Sequence, residues 1–209
     1  MSTPEETAER LTMPLGEAIF TQRAIRRFRT DPIAESDLLA VLEAAIRAPN
    51  GGNQQPWRFV VVRDAEQRRA LAALYHEAWW AKRRDEGYRT LEDLPEHYRS
   101  AARLADEIGD APVIVLACAT APGPGAATMV IPATQNLLLA ARALGIGGTI
   151  TTLHAAVHER VRALFEMPQE AKVVYCIPLG YPKGRFGPVQ RRPLREVASL
   201  DRWGTRLIE

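Results

Sequence analysis

The chain has 209 residues, 46% of them hydrophobic and 25% charged, with a formal net charge of +2. That length suits one domain with a full core, and the near-neutral balance excludes the electrostatic footprint of a nucleic-acid binder. No apolar run approaches the roughly 18 residues of a membrane span; the longest candidate, MVIPATQNLLLAARAL, is broken by Pro132, Gln135, Asn136 and Arg142.

The start, MSTPEETAER, is polar and acidic. It reads as a loose segment, unlike a signal or transit peptide, and the expected location is the cytoplasm. Pro14 opens a short helix, LGEAIFTQ, followed by QRAIRRF and an Asp31-Pro32 turn. Ser36 reads as the N-cap of DLLAVLEAAIRA, whose Leu38, Leu42, Ala45 and Ile46 recur at helical spacing before Pro49. WRFVVVR, Trp57 to Arg63, has strand composition, and AEQRRALAALYHEAWWAKRR reads as a helix. The polar, aromatic-dotted stretch DEGYRTLEDLPEHYRSAARLADEIGD has only patchy periodicity, and residues 76–108 are expected to form a lid or excursion.

APVIVLACAT is a second buried strand, and APGPGAA is expected to be a mobile loop. A helix from about Val130 to Leu144 stops at Gly145; GIGGTITTL follows, then an amphipathic helix AAVHERVRALFEM and a third strand, VVYCIPLGY. The tail GRFGPVQRRPLREVASLDRW is basic and punctuated by proline, forming an arm over about 182–209. Cys118 and Cys176 each lie inside an apolar run, as buried free thiols in a reducing compartment do. The order of elements predicts a single α+β or α/β layered domain. FVVVRDAEQ carries no glycine fingerprint after the first strand, which argues against a dinucleotide-binding Rossmann unit.

Four segments carry chemistry, and each has an ordinary structural reading beside the functional one. Arg23, Arg26 and Arg27 form either a solvated basic face or a bidentate clasp for phosphate. Arg191 and Arg192 in RRPL are either an exposed basic end or a second clasp. APNGGNQQPW, from Ala48, is either a helix-terminal loop or a stretch in which amides and exposed main chain meet the polar edge of a heteroaromatic ring. GIGGTITT offers backbone N–H groups and two hydroxyls at a helix mouth. His154 and His158, four apart on an expected helix, lack a third ligand nearby and read as ordinary helix histidines rather than a metal site.

Taken together from about Thr21 to Trp203, QRAIRRF, APNGGNQQPW before FVVV, QNLLLAARALGIG leading into TITT, and LGYP before RRPL resemble the nitroreductase superfamily. The resemblance implies one nitroreductase-like domain over 1–209. It would be a three-layer α/β/α fold with a central mixed, mainly antiparallel sheet, in an intertwined homodimer with FMN between the subunits. It assigns Arg23, Ala24 and Arg26 to the FMN phosphate and ribityl chain, although Gln22 and Ala24 stand where the family commonly has arginine and serine. Asn50, Gly51 and Asn53 would meet the flavin of the partner subunit, with Asn50 replacing a usual serine. Ile150, Thr151 and Thr152 resemble the branch containing iodotyrosine deiodinase, in which a threonine-rich segment lies beside flavin N5 and favours one-electron chemistry. Arg191 matches a phosphate-binding arginine.

The implied activity is transfer of hydride or electrons from NAD(P)H through FMN to a nitroaromatic, quinone or similar conjugated acceptor, by ping-pong kinetics. No side chain is needed as acid, base or nucleophile. Other functions of the same fold stay open: a flavin-storage or ligand-sensing module without turnover, an oxygen-dependent flavin-consuming synthase, or a reductive dehalogenase. Against the last, the lid positions that would hold an amino-acid substrate fall near Trp79 and Arg83, which lack the required chemistry. Trp79, Trp80 and Tyr88 read either as a stacking surface for a planar acceptor or as packing residues.

Overall fold

The computed structural model describes residues 3–207. In chain order it contains α1 (Pro4–Arg10), α2 (Leu15–Thr21), α3 (Glu35–Ala45), β1 (Trp57–Val62), α4 (Ala65–Asp85), α5 (Arg99–Glu107), β2 (Val113–Ala119), α6 (Pro124–Ala143), β3 (Gly147–Gly148), α7 (His158–Leu164) and β4 (Lys172–Gly180). The strands form one sheet in the order β1-β2-β4-β3, with every pair antiparallel. An isolated parallel bridge between Ala24 and Gly148 extends the sheet past β3 and makes it mixed.

Strand periodicity divides the core in two. Ile114, Leu116 and Cys118 of β2 face α4, α5 and α7, packing with Leu71, Leu104 and Val161. Val113, Val115, Ala117 and Ala119 face α3 and α6, packing with Val41, Leu137 and Ala141. All seven residues of β2 are buried, which is why its sequence is a continuous apolar run. Helices on both faces of a central sheet give the expected three-layer α+β architecture.

The remaining edge depends on missing side chains. A Cβ on Gly147 would lie 2.7 Å from Ile25 Cγ1, and one on Gly148 would lie 2.7 Å from Leu179 Cδ2. This close approach lets QRAIRRF run extended beside β3, with Ile25 N–H donating to the Gly148 carbonyl at 3.0 Å and Ile25 and Phe28 buried. The start of the C-terminal arm returns along the same segment. Arg29 N–H donates to the Tyr181 carbonyl (2.8 Å), Lys183 N–H to that of Arg27 (3.0 Å), and Gly187 N–H to that of Thr21 (3.2 Å).

Several local expectations are corrected. The loose start contains α1, because Thr3 and Glu6 form a reciprocal capping box and Pro4 occupies the first turn. Ser36 does not cap α3; Ala34 does, without a side-chain bond, and Ser36 Oγ instead accepts from Arg10 of α1 beside the Arg10–Asp37 ion pair. Most of APGPGAA is helical, since α6 begins at Pro124, where a missing N–H costs nothing, and Ala126 is already buried. The patchy stretch contains α5, which buries Ala102, Leu104 and Ala105. His154 lies outside α7, before the short turn 155–157.

Candidate functional site

The predicted residues other than Arg191 fall into two groups at diagonal corners of the sheet. Ala24 bridges Gly148, which pairs with Leu179 near the end of β4, and Thr151 bridges Cys176 in the same strand. The loop holding Asn50, Gly51 and Asn53 precedes Trp57, which pairs with Ala119, itself opposite Lys172 at the other end of β4. At strand spacings of about 3.4 Å per residue and about 4.8 Å between neighbours, the amide loop and Ala24 are separated by roughly 20 Å or more.

At the first corner, Arg23 and Arg27 are exposed and Arg26 is half-buried. None of the three is in a salt bridge among the described residues, unlike Arg29, whose guanidinium forks onto Asp31 with two bonds of 2.8 Å. Three guanidiniums without carboxylate partners leave positive charge at this corner, and their planar forks match phosphate oxygens. Ala24 offers main chain alone, and Gly147 and Gly148 beside it project no side chain.

Thr151 and Thr152 are unlike each other. The Thr151 hydroxyl donates to the Cys176 carbonyl at 2.5 Å, and its N–H reaches the same oxygen at 3.1 Å, so both donors are spent on β4. Thr152 is exposed and Ile150 is 41% exposed; the donors left at this corner are therefore those of Thr152 rather than Thr151. Beneath them lies Tyr75 of α4, which sequence reasoning missed because it reads as one more apolar helix position. Burial pushes its phenol from 10.0 up to about 12, with the Cys176 thiol adding to the rise and the Thr151 side chain, Arg26 and Arg83 opposing it. Cys118 and Cys176 are free, and burial pushes both thiols up to about 12.

At the second corner the backbone turns through left-handed conformations at Gly52 (φ 58°), Asn53 (φ 52°) and Gln55 (φ 49°). Such a run in non-glycine residues needs a brace. Asn50 supplies it, its Oδ1 accepting from Gln55 N–H at 2.8 Å and its Nδ2 reaching the Ala48 carbonyl at 3.4 Å. Asn50 thus shapes the loop, while Asn53 presents an exposed amide. Gly51 lies against α6, where an added Cβ would be 3.0 Å from Met129 Cε.

Arg191 lies on the exposed arm, its Nη1 turned back to the Gln190 carbonyl at 2.9 Å. In the lid stretch, Trp79 is 9% and Arg83 5% exposed. The Arg83 guanidinium carbon stands 5.2 Å from the Trp79 ring and 4.2 Å from the Tyr98 ring, with Nη2 on Glu86 at 2.8 Å. Trp79 is therefore a packing residue here, not a free stacking surface. His154 Nε2 meets Asp85 at 2.9 Å, and His158 Nε2 meets the Leu153 carbonyl at 3.2 Å. No helix of the described residues is long and apolar enough to cross a membrane.

Comparison with known proteins finds relatives of the whole chain. The model of the Nitroreductase family matches residues 19–181. The chain is 34% identical over 195 residues to an NADH dehydrogenase of Thermus thermophilus, covering 86% of this chain and 92% of the relative. It is 33% identical to a 5,6-dimethylbenzimidazole synthase of Rhodospirillum rubrum, over 91% of this chain and 89% of that protein. In fold it is similar to an oxidised iodotyrosine deiodinase bound to FMN and 3-iodo-L-tyrosine, with a TM-score of 0.73 and 24% identity over 92% of this chain and 100% of the other.

Proposed function

The chain belongs to the nitroreductase family, and we propose that two copies of it form an FMN-dependent oxidoreductase. The electrons pass from NAD(P)H to a nitroaromatic, quinone or similar conjugated acceptor. The observation that carries this reading is the diagonal separation of the two residue groups. One chain cannot bring Asn53 and Arg23 to the same ring system, whereas a two-fold pair of chains apposes one corner of each.

Apolar surface supports the pairing. Leu15 and Phe20 of α2, Ile131 of α6, and Leu194, Val197 and Trp203 of the arm are exposed, Trp203 completely. Covering each such side chain is worth about 1.5–3 kcal/mol, so the group is a strong drive to association. A groove of about 520 Å³ between α1, α2, α3 and α6 is walled by Leu11, Met13, Leu139 and Ala140 together with the exposed Leu15.

The donor set fits FMN. Arg23, Arg26 and Arg27, free of carboxylate partners, would hold its phosphate together with Arg191, and Asn53 of the partner subunit would bond the polar edge of the ring. Thr152 would supply a hydroxyl and an N–H near N5. When bound, FMN supplies the hydride and single-electron transfer, and the side chains bind, orient and exclude water. Tyr75, neutral below pH 10, keeps the floor beneath Thr151 uncharged.

A second reading has a specific support: the synthase relative covers nearly the whole chain. Turnover separates the two. Anaerobic oxidation of NADH or NADPH with a nitroaromatic acceptor is expected of the reductase, while oxygen-dependent loss of flavin with formation of 5,6-dimethylbenzimidazole would favour the synthase. The visible spectrum of the purified protein tests flavin binding. Mixing Arg23→Gln and Asn53→Ala preparations under subunit exchange tests the shared crevice: random pairing restores about one quarter of the flavin sites. No recovery above the separate variants would refute the two-chain assignment.

A further inference from the structure

We propose that Arg142, at the end of α6, is the positioning residue for the phosphate end of the crevice; this rests on the FMN reading above. Its side chain is 12% exposed and touches both segments that carry the basic residues. Nε donates to Thr21 Oγ1 at 2.8 Å, and Nη2 approaches Glu17 Oε1 of α2 at 3.4 Å. The guanidinium carbon lies 4.3 Å from the centroid of the Phe186 ring, at the start of the arm.

Thr21 is the hub of this contact. Its hydroxyl accepts from Arg142 while donating to the Glu17 carbonyl at 2.6 Å, and its own carbonyl accepts Gly187 N–H at 3.2 Å. Thr21 is followed after Gln22 by Arg23, and Phe186 precedes Arg191 along the arm. Arg142 therefore fixes the points at which the two basic segments depart, one by a hydrogen bond and the other by a cation–π contact. It is not itself a phosphate ligand, because its fork is engaged by Thr21 and Glu17 and its face by Phe186.

The reason for such a clamp is electrostatic. Arg23, Arg26 and Arg27 bring three positive charges without carboxylate partners to one short segment, which is tied to β3 and the arm by isolated bridges and single backbone hydrogen bonds rather than by a long helix or a continuous ladder. A rigid helix terminus with its own charge satisfied adds a side-chain constraint to these backbone bonds, so binding phosphate costs less ordering.

The test compares FMN with riboflavin, which lacks the phosphate, by equilibrium dialysis against apoprotein of the wild type and of Arg142→Met, Arg142→Lys and Phe186→Leu. Arg142→Met is expected to weaken FMN about ten-fold and riboflavin less than two-fold, with Arg142→Lys falling between wild type and Met. Phe186→Leu, which leaves Arg142 and α6 unchanged, is expected to weaken FMN about three-fold without affecting riboflavin, and it decides the matter should Arg142→Met fail to fold. Equal losses for both ligands, or undiminished preference for FMN in these variants, would overturn the proposal. Wild-type protein that binds neither ligand would instead remove the FMN reading on which it stands.

Discussion

Gly148→Ala probes the contact that makes the basic segment possible. The new Cβ would stand 2.7 Å from Leu179 Cδ2, 3.1 Å from Leu138 Cδ2 and 3.1 Å from the Pro178 carbonyl oxygen. Ordinary carbon contacts are about 3.5–4.0 Å, so the leucine contact is too close by roughly 1 Å. Leu179 is fully buried and Leu138 nearly so, leaving neither room to swing away. The chain has to move, at a cost of about 2 kcal/mol. With a urea dependence of about 2 kcal/mol per molar, the unfolding midpoint of the apoprotein falls by roughly 1 M at a fixed protein concentration. Leu179→Ala alone costs about 2–5 kcal/mol by opening a cavity. In the double variant the alanine at 148 occupies part of that cavity, and the two losses fall short of additivity by at least about 1 kcal/mol. FMN affinity falls in Gly148→Ala because Ile25 N–H hangs on the displaced carbonyl. A midpoint unchanged within error, or strictly additive losses, would refute the claim that Leu179 packing demands glycine here.

The thiols give a chemical check. With folded values about 12 against an ordinary 9.0, Cys118 and Cys176 are expected to resist Ellman's reagent at pH 8 and to react only in denaturant; rapid native reaction would contradict their burial. The folded state keeps these protons, and that of Tyr75, longer than the unfolded chain does. This contribution to stability is complete below pH 9 and declines as pH rises toward 12, which alkaline titration of the urea midpoint measures. Arg83→Ala empties the space between Trp79 and Tyr98 and leaves the exposed Glu86 with the Tyr98 hydroxyl, for an expected loss of about 2 kcal/mol that is mainly lost packing, whereas Arg83→Met, which keeps the stem, loses about half as much. Equal losses in thermal melts would assign the effect to charge alone.

Much of the layering was legible because buried strands advertise themselves. VIVLACA is apolar throughout since both faces of the sheet are covered there, and WRFVVV, interrupted only by the exposed Arg58, and VVYCIPLG read nearly the same way. Strand β3 left no such trace: a pair of glycines says nothing about pairing until Ile25 and Leu179 are seen to occupy the space their side chains would need. Helix α1 was written plainly in Thr3, Pro4 and Glu6 but has only one buried residue to confirm it by pattern. In the candidate site, residue types at matched positions picked out both segments but did not distinguish a free amide from a committed one. Asn50 and Asn53 look alike in sequence, and only the bond to Gln55 N–H separates brace from donor. Arg142 gave no signal, because one arginine in a helical run has no pattern; its meaning lies in Thr21, Glu17 and Phe186, which are distant in the chain.

Helix α6 acts as a ruler. Met129 abuts the amide loop at Gly51, while Arg142 grips Thr21 and Phe186. The rise of about 1.5 Å per residue puts these two grips roughly 20 Å apart on one helix, with Pro132 between them. Each added or removed residue between them would turn one grip about 100° relative to the other, so the chain could keep either the amide loop or the basic segment in place but not both. Length variation in this protein is thereby confined to places outside that interval, whatever freedom its loops and tail enjoy.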